Sequence, residues 1–258
     1  MSYDAIVLAG GESCAALKEI APYNNEALII IGQYPMISYV YQSLTRSAHI
    51  RKIIICGPVE ALQEALGNDE RLLYTESGEN AVDSLSKGLD LLDMVGATEK
   101  ILVLPTDIPF ITTEAIDDFI DRSENHEADF YYPLIRREVN EAHFPGVQRT
   151  YFKLKEGVFT GGNLFIIKQQ AVKPALSKAR EINARRKSPL AIIRLFGIPV
   201  LVKYLFNFVT IEYAESVFFN ALGVKGKAII SSFAEIGVDV DKPSDLELAH
   251  KYLVLHDI

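Results

Sequence analysis

The sequence predicts an α/β protein of three layers, in which helices cover both faces of a mixed but mostly parallel sheet. Two observations lead to this prediction. Short, continuous apolar runs alternate with segments of helical periodicity through the first half of the chain. The spacing between these runs suits right-handed β–α–β units, and such units build a parallel sheet that is buried on both faces.

The first half of the chain contains four predicted strands and four predicted helices. The apolar runs predict strands over 5–10, 52–57, 71–76 and 100–110. The helical periodicities predict helices over 34–47, 58–67, 80–96 and 112–125. Pro58 and Gly67 bound one of these helices, and Thr112 or Thr113 is the expected N-cap of the last.

The second half of the chain is less regular. We expect a strand at 128–135, a loop or excursion at 136–150, and a helix at 169–188. We expect a hairpin between them, with a turn at Glu156-Gly157 and a second strand that contains Thr160 to Gly162. Strands and then a helix opened by Pro243 and Ser244 end the chain. Without a repeat or linker, residues 1–258 are interpreted as one domain, with 130–210 as an excursion.

Composition excludes several classes of function. The chain has 258 residues, a net charge of -8 and two cysteines, Cys14 and Cys56. An acidic surface disfavours nucleic-acid binding, and two cysteines without a CxxC pair give neither a disulfide scaffold nor a zinc site. No signal peptide or membrane span is predicted, so the cytoplasm is the expected compartment. The apolar segment 189–211 is interpreted as a buried helix and turn, with a membrane-surface contact as the alternative.

The pair Gly10-Gly11 stands where the first predicted strand ends. Ligands of parallel sheets bind beyond the carboxyl ends of the strands. Because glycine has no Cβ atom, the backbone can turn sharply there and its N–H groups can approach a phosphate. The alternative is a plain glycine turn.

Three aspartates are candidate ligands of a cation. Asp107 ends the apolar strand of LVLPTDIPF, and Asp239 and Asp241 stand two residues apart in GVDVDKPSDL. Along an extended segment, residues two apart share one face. Carboxylates so arranged suit a hard cation such as Mg²⁺, whereas the alternatives are helix caps or a solvated surface.

A second glycine pair, in FTGGNLFII, allows close approach of a ligand or marks a β-bulge. Basic residues lie on both sides of this glycine pair in the sequence, and they form either a phosphate-binding wall or ordinary solvated surface. They are Arg136, Arg137, Arg149, Lys153, Arg185, Arg186 and Lys187. Taken together, the glycine loop, the separated aspartates and the cations favour phosphoryl chemistry with a magnesium ion.

These segments, in this order, resemble the nucleotidyltransferase superfamily of Rossmann-like GT-A fold. The most similar branch contains the molybdenum cofactor guanylyl- and cytidylyltransferases, the MobA-like NTP transferases. IVLAGGES resembles the opening LAGGxS loop, GENAVDSLSKGL the base-recognition segment, LVLPTDIPFIT the metal-binding DxPF strand end, and GVDVDKPSDLELA the closing DxDTPEDL. ALIIIGQYPMISYVYQSL resembles the family segment that lies between the opening loop and the base-recognition segment.

The resemblance implies an Mg²⁺-dependent enzyme that transfers NMP from an NTP to a small phosphorylated acceptor and releases pyrophosphate. It implies a nucleotide site made of Leu8, Ala9, Gly10, Gly11, Glu12, Ser13, Asn80, Ser84 and Asp107. The metal ligands would be Asp107 and Asp241, with Asp239 as alternate. The excursion would face the acceptor through Arg149, Thr160, Gly161, Gly162, Asn163 and Lys187. A homodimer is compatible with the sequence, which does not decide the oligomeric state.

The opening loop departs from the family pattern. Glu26 occupies the position of the usual lysine, and a carboxylate there opposes triphosphate binding. Lys18 is the expected substitute and a candidate catalytic residue together with Asp107. Two alternatives therefore stay open: a catalytically degenerate nucleotide-binding or regulatory protein, and a GT-A glycosyltransferase that uses a nucleotide-sugar. A Rossmann dehydrogenase is disfavoured because GGESCA lacks the G-x-G-x-x-G spacing.

Overall fold

The structure, a computed structural model, describes residues 1–172, 174–176, 178 and 208–254. Within this part of the chain, nine strands form one sheet. These strands are β1 (Tyr3–Leu8), β4 (Ile50–Cys56), β5 (Leu72–Thr75), β6 (Lys100–Pro105), β7 (Phe130–Arg136), β8 (Phe152–Leu154), β9 (Gly157–Gly161), β10 (Phe165–Lys168) and β11 (Gly226–Ser231). A separate two-stranded ribbon joins β2 (Ile30–Ile31) to β3 (Tyr34–Pro35).

The sheet is mixed. Its order is β5-β4-β1-β6-β10-β7-β9-β8, and β11 pairs with β7. Strands β4, β1 and β6 are parallel neighbours, and so are β5 with β4 and β11 with β7. Strand β10 runs antiparallel between β6 and β7, and β9 is antiparallel to β7 and β8. The predicted fold class, a three-layer α/β/α protein with a mixed, mostly parallel sheet, is confirmed.

Eight helices with both ends in the described residues flank the sheets, and residues 169–172, 174–176 and 178, at the start of the helix predicted over 169–188, are also helical. The eight helices are α1 (Ala15–Ile20), α2 (Met36–Arg46), α3 (Val59–Leu66), α4 (Ala81–Val95), α5 (Thr113–Glu124), α6 (Arg137–His143), α7 (Ile211–Leu222) and α8 (Pro243–Val254). Two 3₁₀ turns cover Glu26–Leu28 and Ala234–Gly237. The predicted N-cap Thr112 is confirmed, since its side chain accepts from the N–H group of Ala115. Asn80, which was not predicted as a cap, accepts from the N–H groups of Val82 and Asp83.

The core lies on both faces of the parallel strands. Ile6, Ile54 and Val103 point to one face, where residues of α4 pack on them. Their neighbours along the strands, such as Val7 and Ile55, face the opposite layer. This alternation explains the continuous apolar runs, since burying each such side chain contributes about 1.5–3 kcal/mol.

Three details of the second half were predicted wrongly. The segment 136–150, predicted to be a loop, contains helix α6, which has few apolar residues but an Arg137–Glu141 ion pair one turn apart. Strand β9 ends at Gly161, so Gly162 lies outside it. After β11, the expected further strand is replaced by the 3₁₀ turn at 234–237. Helix α7 was not predicted.

The strands of 130–168 belong to the central sheet and not to a separate one. The sequence predictions for Lys187, for the neighbouring Arg185 and Arg186, and for most of 189–211 fall outside the described residues. None of the helices in the described residues has both the length and the apolar character that crossing a bilayer requires.

Candidate functional site

The carboxyl edge of the sheet brings the predicted site residues together. Strands β1 and β6 are parallel neighbours, and Leu8 stands opposite Pro105 at their ends. The glycine loop that follows β1 and Asp107, which follows β6, therefore leave the sheet at the same edge. The N–H group of Val240 donates to the carbonyl oxygen of Asp107 at 2.8 Å. This bond brings the segment with Asp239 and Asp241 to the same place.

Both glycines of the first loop lie against other side chains. A Cβ atom on Gly10 would be 2.5 Å from the Cβ atom of Ser77. A Cβ atom on Gly11 would be 1.9 Å from Oε1 of Glu26, whose own N–H group donates to the Gly11 carbonyl at 3.2 Å. A side chain at Gly10 would require the backbone near Ser77 to shift, whereas one at Gly11 would displace the Glu26 carboxyl group, which fills the space beside Gly11.

Four carboxyl groups influence one another at this edge. Burial raises the pKa of Glu26 to about 7, with further contributions from Asp241 and Asp239. Burial also raises the pKa of Asp107 well above its ordinary value, and Glu26, Asp239 and Asp241 add to the shift. The pKa of Asp239 is raised by burial, although Arg149 opposes that shift. Two like charges 4 Å apart repel by about 1 kcal/mol in water and about 4 kcal/mol at an effective dielectric constant of about 20.

Buried polar atoms without a hydrogen-bond partner in the described residues are concentrated here. Five of them belong to residues of this edge and its surroundings: Ser13 Oγ, Thr106 Oγ1, Asp107 Oδ1, Arg149 Nε and Asn163 Nδ2. A buried polar atom left without a partner costs about 1–3 kcal/mol, so native proteins contain few of them. Such a group of atoms is typical of a site that binds a polar ligand.

The carboxyl groups fit a magnesium ion by their chemistry. In the described residues, no three or more His, Cys, Asp or Glu side chains are arranged to hold a metal ion by themselves. Magnesium does not need such a cage, because it commonly takes one or two carboxylates and completes its octahedron with phosphate oxygens and water. The buried, unpartnered Oδ1 of Asp107 and the repulsion from its three acidic neighbours suit one cation bound together with a phosphorylated ligand.

Arg149 and Asp239 form an ion pair beside the carboxyl groups. Asn163 is held near them, because its N–H group donates to the carbonyl oxygen of Ile236 at 2.9 Å. Within the part of the chain that the structure describes, both Nε of Arg149 and Nδ2 of Asn163 are buried donors without an acceptor. An anion is the kind of ligand that would accept from both.

The second glycine pair allows close packing. A Cβ atom on Gly161 would be 2.2 Å from the hydroxyl oxygen of Tyr132, and one on Gly162 would be 2.6 Å from Ile236 and Pro133. Thr160 is buried in β9 opposite Ile135. Two of the other predicted cations in the described residues are engaged elsewhere: Arg136 donates to the Glu156 carbonyl and Arg137 to the Glu141 carboxylate.

The predicted base-recognition residues have local hydrogen bonds. The side chain of Asn80 caps α4, and its Nδ2 donates to Asp83 at 2.7 Å. The hydroxyl group of Ser84 accepts from the N–H group of Gly78 at 2.9 Å. Ser84 thus holds the loop that carries Ser77 against Gly10, whereas the bonds of Asn80 stay within the first turn of α4. Of the remaining loop residues, Leu8 ends β1, Ala9 and Ser13 are buried, and Glu12 is exposed and bridges to Asn25.

The sequence analysis placed Lys18 in the opening loop, but in the structure Lys18 lies in helix α1. Its N–H group donates to the carbonyl oxygen of Cys14, and Sγ of Cys14 contacts the carbonyl oxygen of Asp241 at 3.3 Å. Lys18 is therefore one helical turn from a residue that contacts the segment of Asp239 and Asp241. Among the carboxyl groups of this edge, Asp239 is next to a positive charge, and that charge belongs to Arg149, which opposes the rise of the Asp239 pKa.

Two contributors to this edge were missed from the sequence. Ser77 was not singled out, and no local signal marks it. Glu26 was noted as a departure from the family pattern, but its contact with Gly11 and its place among the aspartates were not expected. The signal that the sequence offered was that Glu26 stands where the family pattern has a lysine.

Comparison with a family model shows a match to the MobA-like NTP transferase domain over residues 5–192. Among curated proteins, the chain is similar to 2-C-methyl-D-erythritol 4-phosphate cytidylyltransferase of Bifidobacterium longum, with 26% identity over 132 residues. The match covers 48% of this chain and 44% of the relative, so the chain spans less than half the length of that relative.

Among solved structures, the chain is similar to a hypothetical transferase from Thermus thermophilus, with a TM-score of 0.83 and 33% identity. That match covers 95% of this chain and 100% of the other. The 4-diphosphocytidyl-2C-methyl-D-erythritol synthase of Anaerococcus prevotii has a TM-score of 0.61 at 15% identity, and covers 98% of this chain and 96% of its own. At that identity the likeness concerns the fold alone.

Proposed function

Because this chain belongs to the MobA-like NTP transferase domain family, we propose that it transfers a nucleoside monophosphate from an NTP to a small phosphorylated acceptor, with release of pyrophosphate. The observation that carries the proposal is the carboxyl edge itself. There a glycine loop, a buried and unpartnered Asp107 oxygen and the pair Asp239 and Asp241 come together within the described residues. The acceptor phosphate attacks the α-phosphate of the NTP, and no covalent enzyme intermediate is needed.

On the nucleotide side, the loop of Gly10 and Gly11 binds phosphate oxygens through its backbone N–H groups. The glycines allow the backbone to approach the ligand closely. Ser84 holds the loop that lies against Gly10 at Ser77, and Asn80 caps helix α4, which follows that loop. Their proposed contribution to the base or ribose is therefore largely the position of that loop.

Asp107 and Asp241 hold a magnesium ion, with Asp239 as the alternate ligand. A bound magnesium ion neutralises charge that develops on the phosphate groups during transfer. Asp239 is already paired with Arg149, whereas Oδ1 of Asp107 has no partner in the described part of the chain. This difference supports Asp107 as the principal ligand.

On the acceptor side, Arg149 and Asn163 bind the acceptor phosphate. Support comes from their two buried donors, which are without acceptors among the described residues, and from the charge of the guanidinium group. Thr160, Gly161 and Gly162 form the wall beside them. Lys187 belongs to the same proposal from the sequence alone.

Lys18 is the proposed catalytic cation. It is half-buried on α1, and it is the positive residue of the opening segment. Lys18→Ala is expected to abolish turnover, since the charge on the departing pyrophosphate would lose its stabilisation. Pyrophosphate release measures this effect. Unchanged turnover would remove Lys18 from the site.

Cytidine triphosphate is the first nucleotide to test, because the curated relative is a cytidylyltransferase. Thermal unfolding would be followed with CTP, ATP, GTP, UTP and dTTP, each with and without Mg²⁺. A ligand that binds only the folded state raises the melting temperature. We expect a magnesium-dependent rise with CTP that Asp107→Asn removes, whereas Asp90→Asn, an exposed site on α4, leaves it unchanged.

A catalytically degenerate nucleotide-binding protein is the second candidate. The contact of the Glu26 carboxyl group with Gly11 favours it, since an anion already lies where a phosphate group is expected. A magnesium-dependent rise without pyrophosphate release, for any phosphorylated acceptor tried, would support this candidate. No rise with any nucleotide would contradict both.

A further inference from the structure

Ser77 contacts the glycine loop from a neighbouring strand end. It lies two residues beyond Thr75, the last residue of β5, and the Thr75 carbonyl oxygen accepts from the N–H group of Gly57, which follows β4, at 2.9 Å. The parallel strands β5, β4 and β1 therefore end at the same edge. A Cβ atom on Gly10 would be 2.5 Å from the Cβ atom of Ser77 and 3.0 Å from its hydroxyl oxygen. The Ser77 side chain thus lies directly on the glycine loop.

Two contacts with helix α4 hold the backbone of Ser77. Nζ of Lys87 donates to the Ser77 carbonyl oxygen at 2.7 Å. The N–H group of the next residue, Gly78, donates to Ser84 Oγ at 2.9 Å. Gly78 also packs closely on the first turn of α4, since a Cβ atom there would be 2.5 Å from the Cβ atom of Asp83. The backbone of Ser77 is therefore anchored at its own carbonyl group and at the following residue.

The hydroxyl group of Ser77 is left for a ligand. Among the described residues it makes no hydrogen bond, and the residue is half-buried. A serine that only filled the space beside Gly10 would need its Cβ atom and not its hydroxyl group. A hydroxyl group can both donate and accept, and one that is held in place loses little conformational freedom when a ligand binds. Ser77 is thus preorganised for a polar contact beside the glycine loop.

The order of the strands indicates which part of a nucleotide Ser77 would meet. Along the sheet the order is β5-β4-β1-β6, so the glycine loop after β1 lies between Ser77, after β5, and Asp107, after β6. In the proposed function Asp107 holds the magnesium ion, and the phosphate groups that share this ion lie towards β6. A nucleotide bound along the edge then extends its sugar and base over β4 towards β5. Ser77 approaches Gly10 from that side.

We propose that Ser77 is a nucleotide-binding residue, whose hydroxyl group forms a hydrogen bond with the nucleoside part of the NTP, and that Lys87 is a positioning residue that holds Ser77 by its carbonyl group. The inference rests on the proposed function, because it names a further contact in the same site. Lys87 acts through Ser77 and not on the phosphate groups, so its role differs from that of Lys18.

Calorimetric titration of the whole chain in Mg²⁺ tests the contact. The probes are CTP, ATP, GTP, UTP and dTTP, together with inorganic tripolyphosphate, which lacks a nucleoside. Ser77→Ala keeps the Cβ atom that lies against Gly10 and removes the hydroxyl group. The Kd of the nucleotide that binds most tightly should rise by about fivefold to tenfold, as expected for one hydrogen bond, while the Kd of tripolyphosphate stays within about twofold.

Ser86→Ala is the matched control, because Ser86 is another half-buried serine, on α4, and this variant should bind nucleotide as the native protein does. Lys87→Ala should also raise the nucleotide Kd, by at most the same factor as Ser77→Ala, and Lys87→Arg should restore it. In the Ser77→Ala background, Lys87→Ala should have little further effect, because no hydroxyl group is left to position. Thermal unfolding without ligand checks that each variant is folded.

A nucleotide Kd in Ser77→Ala within about twofold of the native value overturns the inference and leaves the proposed function intact. An equal weakening of tripolyphosphate binding also overturns it, since the hydroxyl group would then act on the phosphate groups. Additive effects of the Ser77 and Lys87 variants overturn the positioning role. Absence of nucleotide binding by the native protein overturns the inference and contradicts the proposed function as well, so the two failures are distinguishable.

Discussion

At the amino-terminal edge of the sheet, the buried carboxyl groups are paired. Asp4, at the start of β1, is fully buried and accepts hydrogen bonds from the Arg51 guanidinium at 2.7 and 3.0 Å and from the Thr98 N–H group at 2.8 Å. Glu124 accepts from the Tyr3 hydroxyl group and from Nζ of Lys100. Burial raises the pKa of Glu124, but these hydrogen bonds outweigh it and hold the pKa below its ordinary value.

At the carboxyl-terminal edge, the carboxyl groups face one another. The pKa values of Glu26, Asp107 and Asp239 are all raised, by burial first. Arg149 compensates Asp239, while the Asp107 oxygen has no partner among the described residues. Burying an unpaired charge costs free energy that pairing would recover. One edge of the same sheet thus pairs its carboxyl groups, whereas the other brings carboxyl groups together and leaves Oδ1 of Asp107 without a partner among the described residues.

Asp107→Asn tests the comparison with the largest expected effect. Turnover should fall by about 10³-fold, because the proposed magnesium ligand is lost from the reaction centre. The free energy of unfolding should be unchanged or higher, since a neutral amide replaces an acid that its neighbours repel. Pyrophosphate release and urea denaturation measure the two quantities. Turnover within tenfold of the native value would contradict the assignment.

Asp4→Asn should have the opposite profile. The free energy of unfolding should fall by about 2 kcal/mol, because a charge-assisted pair with Arg51 and a backbone hydrogen bond are weakened, while the half-exposed Arg51 stays partly hydrated. Urea denaturation measures this loss. Nucleotide affinity should stay within about twofold, and a selective loss of affinity would break the distinction between the edges.

The pH dependence of stability sharpens the comparison. The pKa of Glu26 is about 7 in the folded protein and its ordinary value is 4.5, so the folded state holds the proton more tightly. Stability of the metal-free protein should therefore fall as pH rises from about 4.5 through 7, by on the order of 2 kcal/mol. Glu26→Gln should reduce this slope. Urea denaturation in EDTA at several pH values checks it, and parallel curves for both proteins would contradict the assignment.

Two buried serines give the smallest expected difference. Ser13 has no hydrogen-bond partner in the part of the chain described, whereas Ser123, near the amino-terminal edge, donates to the Ile120 carbonyl at 2.7 Å. Ser123→Ala should cost about 1 kcal/mol, and Ser13→Ala should cost nothing or stabilise the protein slightly. Thermal unfolding measures both, and an equal loss in the two variants would mean that Ser13 has a structural partner.

Much of the fold could be predicted because its signals are local. Continuous apolar runs mark the parallel strands, and Asn80, Thr112, Pro58 and Gly67 bound their helices as the sequence indicated. Helix α6 was missed since it has little apolar periodicity and relies on an ion pair and on its neighbours. The packing of its Val139 against the core depends on neighbouring elements and gives no periodic signal in the sequence.

The sequence by itself determined the fold class, the strand-end positions of Gly10, Gly11 and Asp107, and the spacing of Asp239 and Asp241. These follow from periodicity and from the chemistry of single residues. Only the tertiary structure decided that Glu26 lies on Gly11 among those aspartates, and that Arg149 pairs with Asp239, which is 90 residues away in the chain. Such contacts depend on which loops the sheet order brings to one edge, and no short stretch of sequence contains that information.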